Sequence, residues 1–384
     1  MTDHNIYSYS LCIALPLMLL FGYDFLFSKV PDKKIYDNFL RSRRTMGIAV
    51  LLLAANYSVH FFFNIRFVNV NAAILMNLTT YFICYWLFSS ALTTLLDRFY
   101  ITRSRLTVHL SMWVLFSVLA WIDLLLVPDG TWQKAVLFLL AAWLVSYGLF
   151  LSARLLTAYH RAVKLFANSH ADDIGAYIKW MRKFTYWALG FGVGCGLLTF
   201  LPDRYVYVWI LSSVPFYIYL YHCYRNYFLF YEMVEAAMES EIASEQDILG
   251  DGAATAEASS EMADVCPDLY AEVAQKVEEW IREEGYRSRG LTIKELADTL
   301  YTNRTYLSGY INNVCNSTFR DWITALRLEY AKRRIIEHPE LKLIEISEES
   351  GFMSISHFMK VFKEKEGISP AKWKKNQPVT PERE

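Results

Sequence analysis

The sequence predicts an all-α protein in which a transmembrane bundle of seven helices is followed by a soluble domain of short helices. Its composition is 54% hydrophobic and 16% aromatic, whereas soluble domains are about 45–50% apolar. Residues 1–230 contain 19 Lys and Arg against 10 Asp and Glu, residues 231–267 contain 10 acidic and no basic residues, and residues 268–384 contain 19 of each. These charge patterns predict a membrane domain over 1–230, a linker over 231–267, a soluble domain over 268–376 and a tail over 377–384.

Seven stretches have the length and composition of a membrane-spanning helix. A bilayer core of about 30 Å requires about 20 mostly apolar residues in a helix. The stretches are 7–27, 46–63, 72–96, 106–127, 132–153, 184–201 and 205–230. The N-terminus lacks the basic region and small-residue cleavage site of a signal peptide, so we expect the first apolar run to remain as a span.

Basic residues fall mostly in alternate loops between these spans. Fifteen Lys and Arg lie in the first, third and fifth loops, and three lie on the opposite side, namely Arg66, Lys134 and Arg204. Basic residues are enriched in cytoplasmic loops. The asymmetry therefore predicts a multi-pass protein of the cytoplasmic (inner) membrane, with its N-terminus outside and its C-terminal domain in the cytoplasm.

The linker begins with an apolar stripe that continues the last span at helical spacing. The stripe consists of Tyr227, Tyr231, Val234, Met238, Ile242 and Leu249. It fits either a helix end followed by a solvated tether, or a signalling helix that pairs in a dimer. Residues 250–266 are rich in Ala, Ser, Gly and acidic residues, which predicts a flexible segment.

The soluble domain contains a short helix, a tight turn and a second helix, after an initial helix around 268–284. Thr292 and Glu295 have the spacing of a capping box that opens the first of these short helices. Asn303 is suited to cap the second. This order is typical of a helix-turn-helix motif.

A similar pattern recurs at an offset of 50 residues. Ile344, Ile346 and Ser347 correspond to Lys294, Leu296 and Ala297, and Ser354, Phe358 and Phe362 correspond to Asn303, Leu307 and Ile311 after one added residue in the turn. An amphipathic helix over 319–337 joins the two patterns. The sequence thus predicts a double helix-turn-helix domain.

These residues resemble the DNA-binding domain of AraC/XylS-type bacterial regulators. The resemblance is carried by Glu349-Ser-Gly-Phe352, Ser356-His-Phe358, Phe362-Lys363, Gly367 and Ser369-Pro370, with Arg327 and Ala331 on the connecting helix. Two departures from the family pattern are Ser347, where the family prefers Ala, and Trp373, near the usual Tyr-Arg end. The resemblance covers residues 291–375 and implies sequence-specific binding of double-stranded DNA by a transcription regulator.

The resemblance and helical geometry together place base-reading side chains on the second helix of each motif. The candidates are Arg304, Thr305, Ser308 and Gly309 in the first motif, and Ser356, His357, Met359 and Lys360 in the second. Residues 285–376 contain 16 basic and 11 acidic residues, so phosphate attraction must come from clustered cations. Each of the candidate phosphate contacts could equally be a solvated surface cation; they are Arg304, Arg333, Arg334, Lys360, Lys363, Lys372, Lys374 and Lys375.

Four ionisable residues near the ends of the spans are candidate intramembrane pairs. Asp24 and Arg225 lie near the cytoplasmic ends of spans one and seven, and His60 and Asp123 lie near the outer ends of spans two and four. Charged groups inside a membrane cost free energy and often have functions. The alternative is that these groups lie at the headgroup level and play a structural role.

Motifs of catalysis are not found in the sequence, which lacks a Gly-rich phosphate loop, HExxH, a nucleophile elbow and Cys/His metal spacing. We therefore expect no enzyme activity, cofactor or metal. The leading interpretation is a membrane-embedded transcription regulator that senses a signal. The alternatives are a transporter or membrane enzyme with a regulatory tail, and a structural anchor for a DNA-binding domain. Expected partners are DNA, the lipid bilayer, a second copy in a homodimer and RNA polymerase, with a small-molecule or envelope signal that the sequence does not name.

Overall fold

The computed structural model describes residues 3–128, 130–198, 200, 202–250 and 267–376. Over these ranges the chain is helical and forms no β-strand, apart from one isolated antiparallel bridge between His170 and Thr292. The prediction of an all-α fold is confirmed. The chain divides into two compact units, one made of Met1–Ala162 and Tyr177–Ala236, the other of Val163–Ala176 and Ala237–Glu384.

Eight helices precede the soluble domain in the described residues. They are α1 Asp3–Phe27, α2 Asp37–Phe63, α3 Ile65–Val68, α4 Val70–Thr94, α5 Arg103–Leu126, α6 Thr131–Ser169, α7 Lys179–Leu198 and α8 Asp203–Gly250. The first unit is held together by apolar and aromatic packing. For example, Phe82 of α4 stacks on Tyr147 of α6 with ring centroids 4.3 Å apart.

Six of the described helices are long and apolar enough to cross a membrane. These segments are Asn5–Phe27, Lys34–Phe63, Val70–Thr94, Arg103–Leu126, Thr131–Ser169 and Tyr205–Met238. The predicted span 184–201 corresponds to α7, which is not among the six, and the end of that span includes residues outside the described ranges. The number of seven spans therefore remains a prediction.

The beginning of the apolar stripe on α8 packs inside the first unit. Tyr227, Tyr231 and Val234 are at most 2% exposed. Next to Val234 on the same helix, the Glu235 carboxylate is 2.8 Å from the Arg98 guanidinium. These residues are covered by their own chain, so this part of the stripe is not open to a dimer contact. The side chains of residues 242 and 249, and all of residues 251–266, lie outside the described part.

The described part of the second unit contains seven α-helices after α8. They are α9 Pro267–Arg282, α10 Ile293–Thr299, α11 Arg304–Gly309, α12 Phe319–Glu337, α13 Leu343–Glu349, α14 Ile355–Glu366 and α15 Pro370–Lys375, with a π-helical turn Tyr310–Val314 after α11. The capping box of Thr292 and Glu295 is present. The Asn303 side chain accepts a hydrogen bond from the Thr305 amide and caps α11. Both predicted helix starts are therefore confirmed.

Candidate DNA-binding surface

The two helix-turn-helix motifs, α10–α11 and α13–α14, are joined by α12, which contributes to the core of each. Phe319, Ile323 and Tyr330 of α12 pack into the core of the first motif. Leu328 and Ile335 pack into the core of the second, around Phe352, Phe358 and Phe362. Because one continuous helix is built into both cores, the spacing between α11 and α14 is fixed by α12.

The turn of the second motif requires glycine. Gly351 has a φ of +83°, a conformation that L side chains rarely adopt, and a Cβ atom there would run into the backbone carbonyl of Arg287. Gly351 is followed by Phe352, which is 1% exposed. The Gly-Phe pair thus sets the angle at which α14 leaves α13 and allows the turn to pack against the backbone of Arg287.

Arg327, on the connecting helix α12, makes several buried polar contacts. Its side chain is 1% exposed. The Nε atom donates to the Tyr286 carbonyl at 2.8 Å, Nη2 donates to the Ser288 carbonyl at 2.7 Å, and Nη1 is 3.3 Å from the Asp172 carboxylate. Burial lowers the pKa of this guanidinium, and Asp172 opposes that shift. Arg327 therefore holds the segment 286–288 and residue 172 against α12, which makes it a positioning residue.

Glu349, the last residue of α13, links this helix to α12 and to the turn that precedes α10. Its carbonyl accepts a hydrogen bond from Arg287 Nε at 2.8 Å, and its carboxylate is 2.9 Å from the Arg334 guanidinium of α12. Arg287 also lies over the Tyr330 ring, 4.6 Å from its centroid. These contacts fix α13 relative to α12 and so contribute to the placement of α14.

The first candidate reading helix, α11, presents small and polar groups beside one arginine. Thr305 is exposed, and Ser308 and Gly309 are partly exposed. The Ser308 hydroxyl accepts from Asn312 Nδ2 at 3.2 Å. Arg304, the first residue of α11, is partly exposed and lies 3.4 Å from the hydroxyl of Ser169. Arg304 is thus partly engaged inside the protein, and its predicted role as a base reader stays a prediction.

The second candidate reading helix, α14, has larger exposed groups. Ser356 is exposed, Met359 is 41% exposed and the Lys360 side chain is 50% exposed. The His357 ring packs edge-on against Phe352 with centroids 5.7 Å apart. Burial lowers the pKa of His357, while Asp173 and Asp172 oppose the shift. Burial of the ring therefore favours its neutral form.

The candidate phosphate contacts differ in their exposure and in whether they form ion pairs within the protein. Lys363 is exposed near the end of α14. Arg333 is 59% exposed, although it lies 3.4 Å from the Glu284 carboxylate. Arg334 is 23% exposed and paired with Glu349. Arg334 thus has a structural role in joining α12 to α13, and its predicted role toward phosphate stays a prediction.

Another group of residues beside this surface comes from the end of α6 and the segment that follows it, and no pattern in the sequence predicts this group. In the second unit Ser169 meets Arg304, Asp172 meets Arg327, and Asp173 lies between Arg320 and Lys360. These residues are separated along the chain by 135 positions or more. Local periodicity carries no information about such pairing, so only the three-dimensional structure reveals it.

The four candidate intramembrane residues have different neighbours in the described structure. Arg225 and Asp24 both lie against Tyr221. His60 Nε2 is 2.9 Å from the Asn77 side-chain oxygen. Asp123 is 1% exposed, and neither of its carboxylate oxygens has a hydrogen-bond partner within the described part of the chain. Whether these groups act in sensing stays a prediction.

The arrangement of two helix-turn-helix motifs on one connecting helix agrees with the similarity of this sequence to known proteins. Residues 296–376 match a family model described as "Helix-turn-helix domain". The AraC-type helix-turn-helix domain predicted at the C-terminus is confirmed. No solved structure matches the chain.

Several curated proteins are similar to this part of the chain. The Melibiose operon regulatory protein of Escherichia coli (strain K12) is 29% identical over 87 residues, which are 23% of this chain and 28% of that protein. An uncharacterized HTH-type transcriptional regulator of Bacillus subtilis (strain 168) is 35% identical over 80 residues, 21% of this chain and 33% of that protein. The Msm operon regulatory protein of Streptococcus mutans is 31% identical over 85 residues, 22% of this chain and 30% of that protein. The chain thus spans about a third of the length of the relatives it matches.

Proposed function

We propose that this protein is a membrane-embedded transcription regulator that binds specific DNA through its two helix-turn-helix motifs and responds to a signal received by its membrane helices. The observation that carries the proposal is the presence, in one chain, of a double helix-turn-helix domain and six helices long enough to cross a membrane. The similar operon regulators support the regulatory part of the proposal.

The geometry of α12 supports simultaneous reading by both motifs. α12 has 19 residues, and at the α-helical rise it is roughly 28 Å long. Successive major grooves on one face of B-DNA are about 34 Å apart. With α11 and α14 attached near the two ends of α12, each can enter the major groove about one helical turn from the other. Arg304 and Lys360 are suited to donate to guanine O6 and N7, and Met359 is suited to contact a thymine methyl.

The direct test is genome-wide mapping of DNA bound by the intact protein in cells. We expect discrete bound sites that share a sequence, because two reading helices together contact several base pairs. A strain that lacks the protein is the control. Uniform recovery of DNA from both strains would contradict the proposal. Comparing bound sites after changes in growth conditions would identify conditions that alter occupancy, which a simple anchor would not do.

Membrane topology gives a separate prediction. If the excess of basic residues in alternate loops sets the orientation, a reporter fused after Leu249 should behave as cytoplasmic. A reporter inserted between residues 128 and 131 should behave as external. Enzymatic reporters with opposite compartment requirements, fused at the same two positions, check each other. Cytoplasmic signals at both positions would contradict the proposed topology.

The proposed homodimer would need a contact other than the beginning of the α8 stripe. Tyr227, Tyr231 and Val234 are buried in their own chain, so they are not available to a second copy. Two copies would bring two double motifs to paired half-sites and raise the effective concentration of the second. The spacing of shared sequences in the mapped sites would reveal such pairing.

A further inference from the structure

The segment 169–173, which connects α6 to the turn before α7, is built into the second unit. The Ala171 amide donates to the Leu291 carbonyl at 2.9 Å, and His170 forms an antiparallel bridge with Thr292. Ala171 is 0% exposed and belongs to the core of the first helix-turn-helix motif. Backbone and apolar contacts therefore hold the segment at the start of α10, and this bound position is the seat of the segment.

The two carboxylates of this segment meet three cations of the domain, of which Lys360 is a candidate DNA contact. Asp172 lies 3.3 Å from Arg327. Asp173 lies 3.4 Å from Arg320 and 3.9 Å from Lys360. The carboxylates of Asp172 and Asp173 are only 15% and 14% exposed, so they are largely enclosed by the domain.

The same segment touches both candidate reading helices. Ser169 contacts Arg304 at the start of α11, and Asp173 contacts Lys360 on α14. A DNA phosphate carries a negative charge and binds Arg and Lys by the same charge-assisted hydrogen bonds that a carboxylate makes. Both anions cannot occupy the space between Arg320 and Lys360 at once, and like charges held close together repel.

We propose that residues 169–173 form an intramolecular lock that occupies the DNA-binding surface, and that DNA binds only when this segment leaves its seat. This inference rests on the proposed function. Leaving the seat breaks the Ala171 hydrogen bond to Leu291 and the Asp172 contact with Arg327, whereas the ion pair of Asp173 with the half-exposed Lys360 contributes little to holding the segment. Its ends are covalently continuous with α6 and α7, so a rearrangement of these helices would pull on the segment directly. A signal could then reach the DNA-binding surface without passing through residues 251–266.

The first test fixes the lock in its seat with a disulfide in the full-length protein. Cα atoms in an antiparallel bridge are about 4.5–5.5 Å apart, within the range of about 4.4–6.8 Å that disulfides accept. Paired His170→Cys and Thr292→Cys substitutions should therefore cross-link on mild oxidation. We expect the cross-linked protein to bind DNA from the mapped sites at least roughly tenfold more weakly than after reduction, because a smaller open population lowers apparent affinity in proportion.

Controls separate the possible failures of this experiment. Each single cysteine variant is oxidised in the same way, and its DNA affinity shows the effect of any disulfide formed with a native cysteine. The Thr292→Cys variant also shows how much DNA affinity is lost with the Thr292 cap. Mass spectrometry of digests identifies the cross-link. Failure to cross-link, or equal DNA affinity with and without the cross-link, would overturn the lock. If the reduced protein and the wild type bind no DNA even at low salt, the proposed function itself is wrong.

The second test weakens the lock. Asp173→Asn removes the charge that faces Arg320 and Lys360 and should tighten DNA binding by roughly threefold or more, as the open population rises. Glu279→Gln is the matched control, because Glu279 is an exposed carboxylate on α9 and its loss changes the net charge equally. Equal tightening by both variants would indicate a general charge effect and would count against the lock.

Discussion

Replacement of Arg327 by alanine is expected to destabilise the helix-turn-helix domain by about 3–5 kcal/mol, the cost of removing one partner from a buried charged contact. The variant leaves the carbonyls of Tyr286 and Ser288 and the Asp172 carboxylate without the guanidinium that they share. Domains are stable by only about 5–15 kcal/mol, so much of the stability would be lost. Hydrogen exchange of peptides from residues 267–376 in the full-length protein would measure the effect.

Two further variants test the cause of this loss. Arg327→Lys keeps the charge but cannot reproduce the three-way contact, because the ammonium group lacks the planar fork of guanidinium, and we expect most of the destabilisation to remain. Arg333→Ala, on the same helix but with a 59% exposed side chain, should change stability by less than about 1 kcal/mol. Protection of Arg327→Ala equal to that of wild type would refute a central structural role for Arg327.

The second large effect is expected for DNA binding by the double variant Arg304→Ala with Lys360→Ala. Each side chain is placed on a separate reading helix, and loss of one good base contact costs about 1–3 kcal/mol. If the two contacts are independent, affinity for the mapped sites should fall by about 2–6 kcal/mol. The same residues also hold the segment 169–173, so opening of the lock would offset part of the loss.

A control variant with the same change in net charge shows whether this loss of affinity is specific to the reading helices. Lys276→Ala with Arg282→Ala removes two cations from α9, where Lys276 is already paired with Glu272 at 2.7 Å. Affinity would be measured by fluorescence anisotropy on a mapped site and on a scrambled duplex. The reading-helix variant should lose discrimination between the two duplexes, and the α9 variant should keep it. Retained discrimination in the former would exclude Arg304 and Lys360 as base readers.

Local signals in the sequence were sufficient to predict much of the soluble domain. The connecting helix predicted over 319–337 is α12, Phe319–Glu337, because its apolar positions follow one face and Thr318 caps its start. The capping box at Thr292 and the cap at Asn303 are likewise determined by neighbours in sequence. The repeat of the pattern at an offset of 50 residues correctly predicted two motifs.

Features that depend on contacts between distant residues were not predicted. The α8 stripe correctly identifies an apolar face, but periodicity does not say that Tyr227 and Val234 pack inside their own unit rather than against a second copy. Asp172 and Asp173 form a short acidic pair in a loop, and their cations lie more than 140 positions away. The link of Arg287 and Arg334 through Glu349 similarly joins residues whose proximity arises only from the packing of α12 against α13.

The structure also changes how the DNA-binding part can be exchanged between proteins. The helix-turn-helix domain is contiguous in sequence over 267–376, yet its compact unit also contains Val163–Ala176. Transplanting only residues 267–376 onto another membrane protein would leave the guanidinium of Arg327 buried without its carboxylate and the seat of Ala171 unfilled. Recombination that joins a sensor to a DNA-binding domain of this type therefore has to carry two separate pieces of gene. A regulator assembled from only one of these pieces would lose part of its core, and it would also lose the segment proposed to silence it.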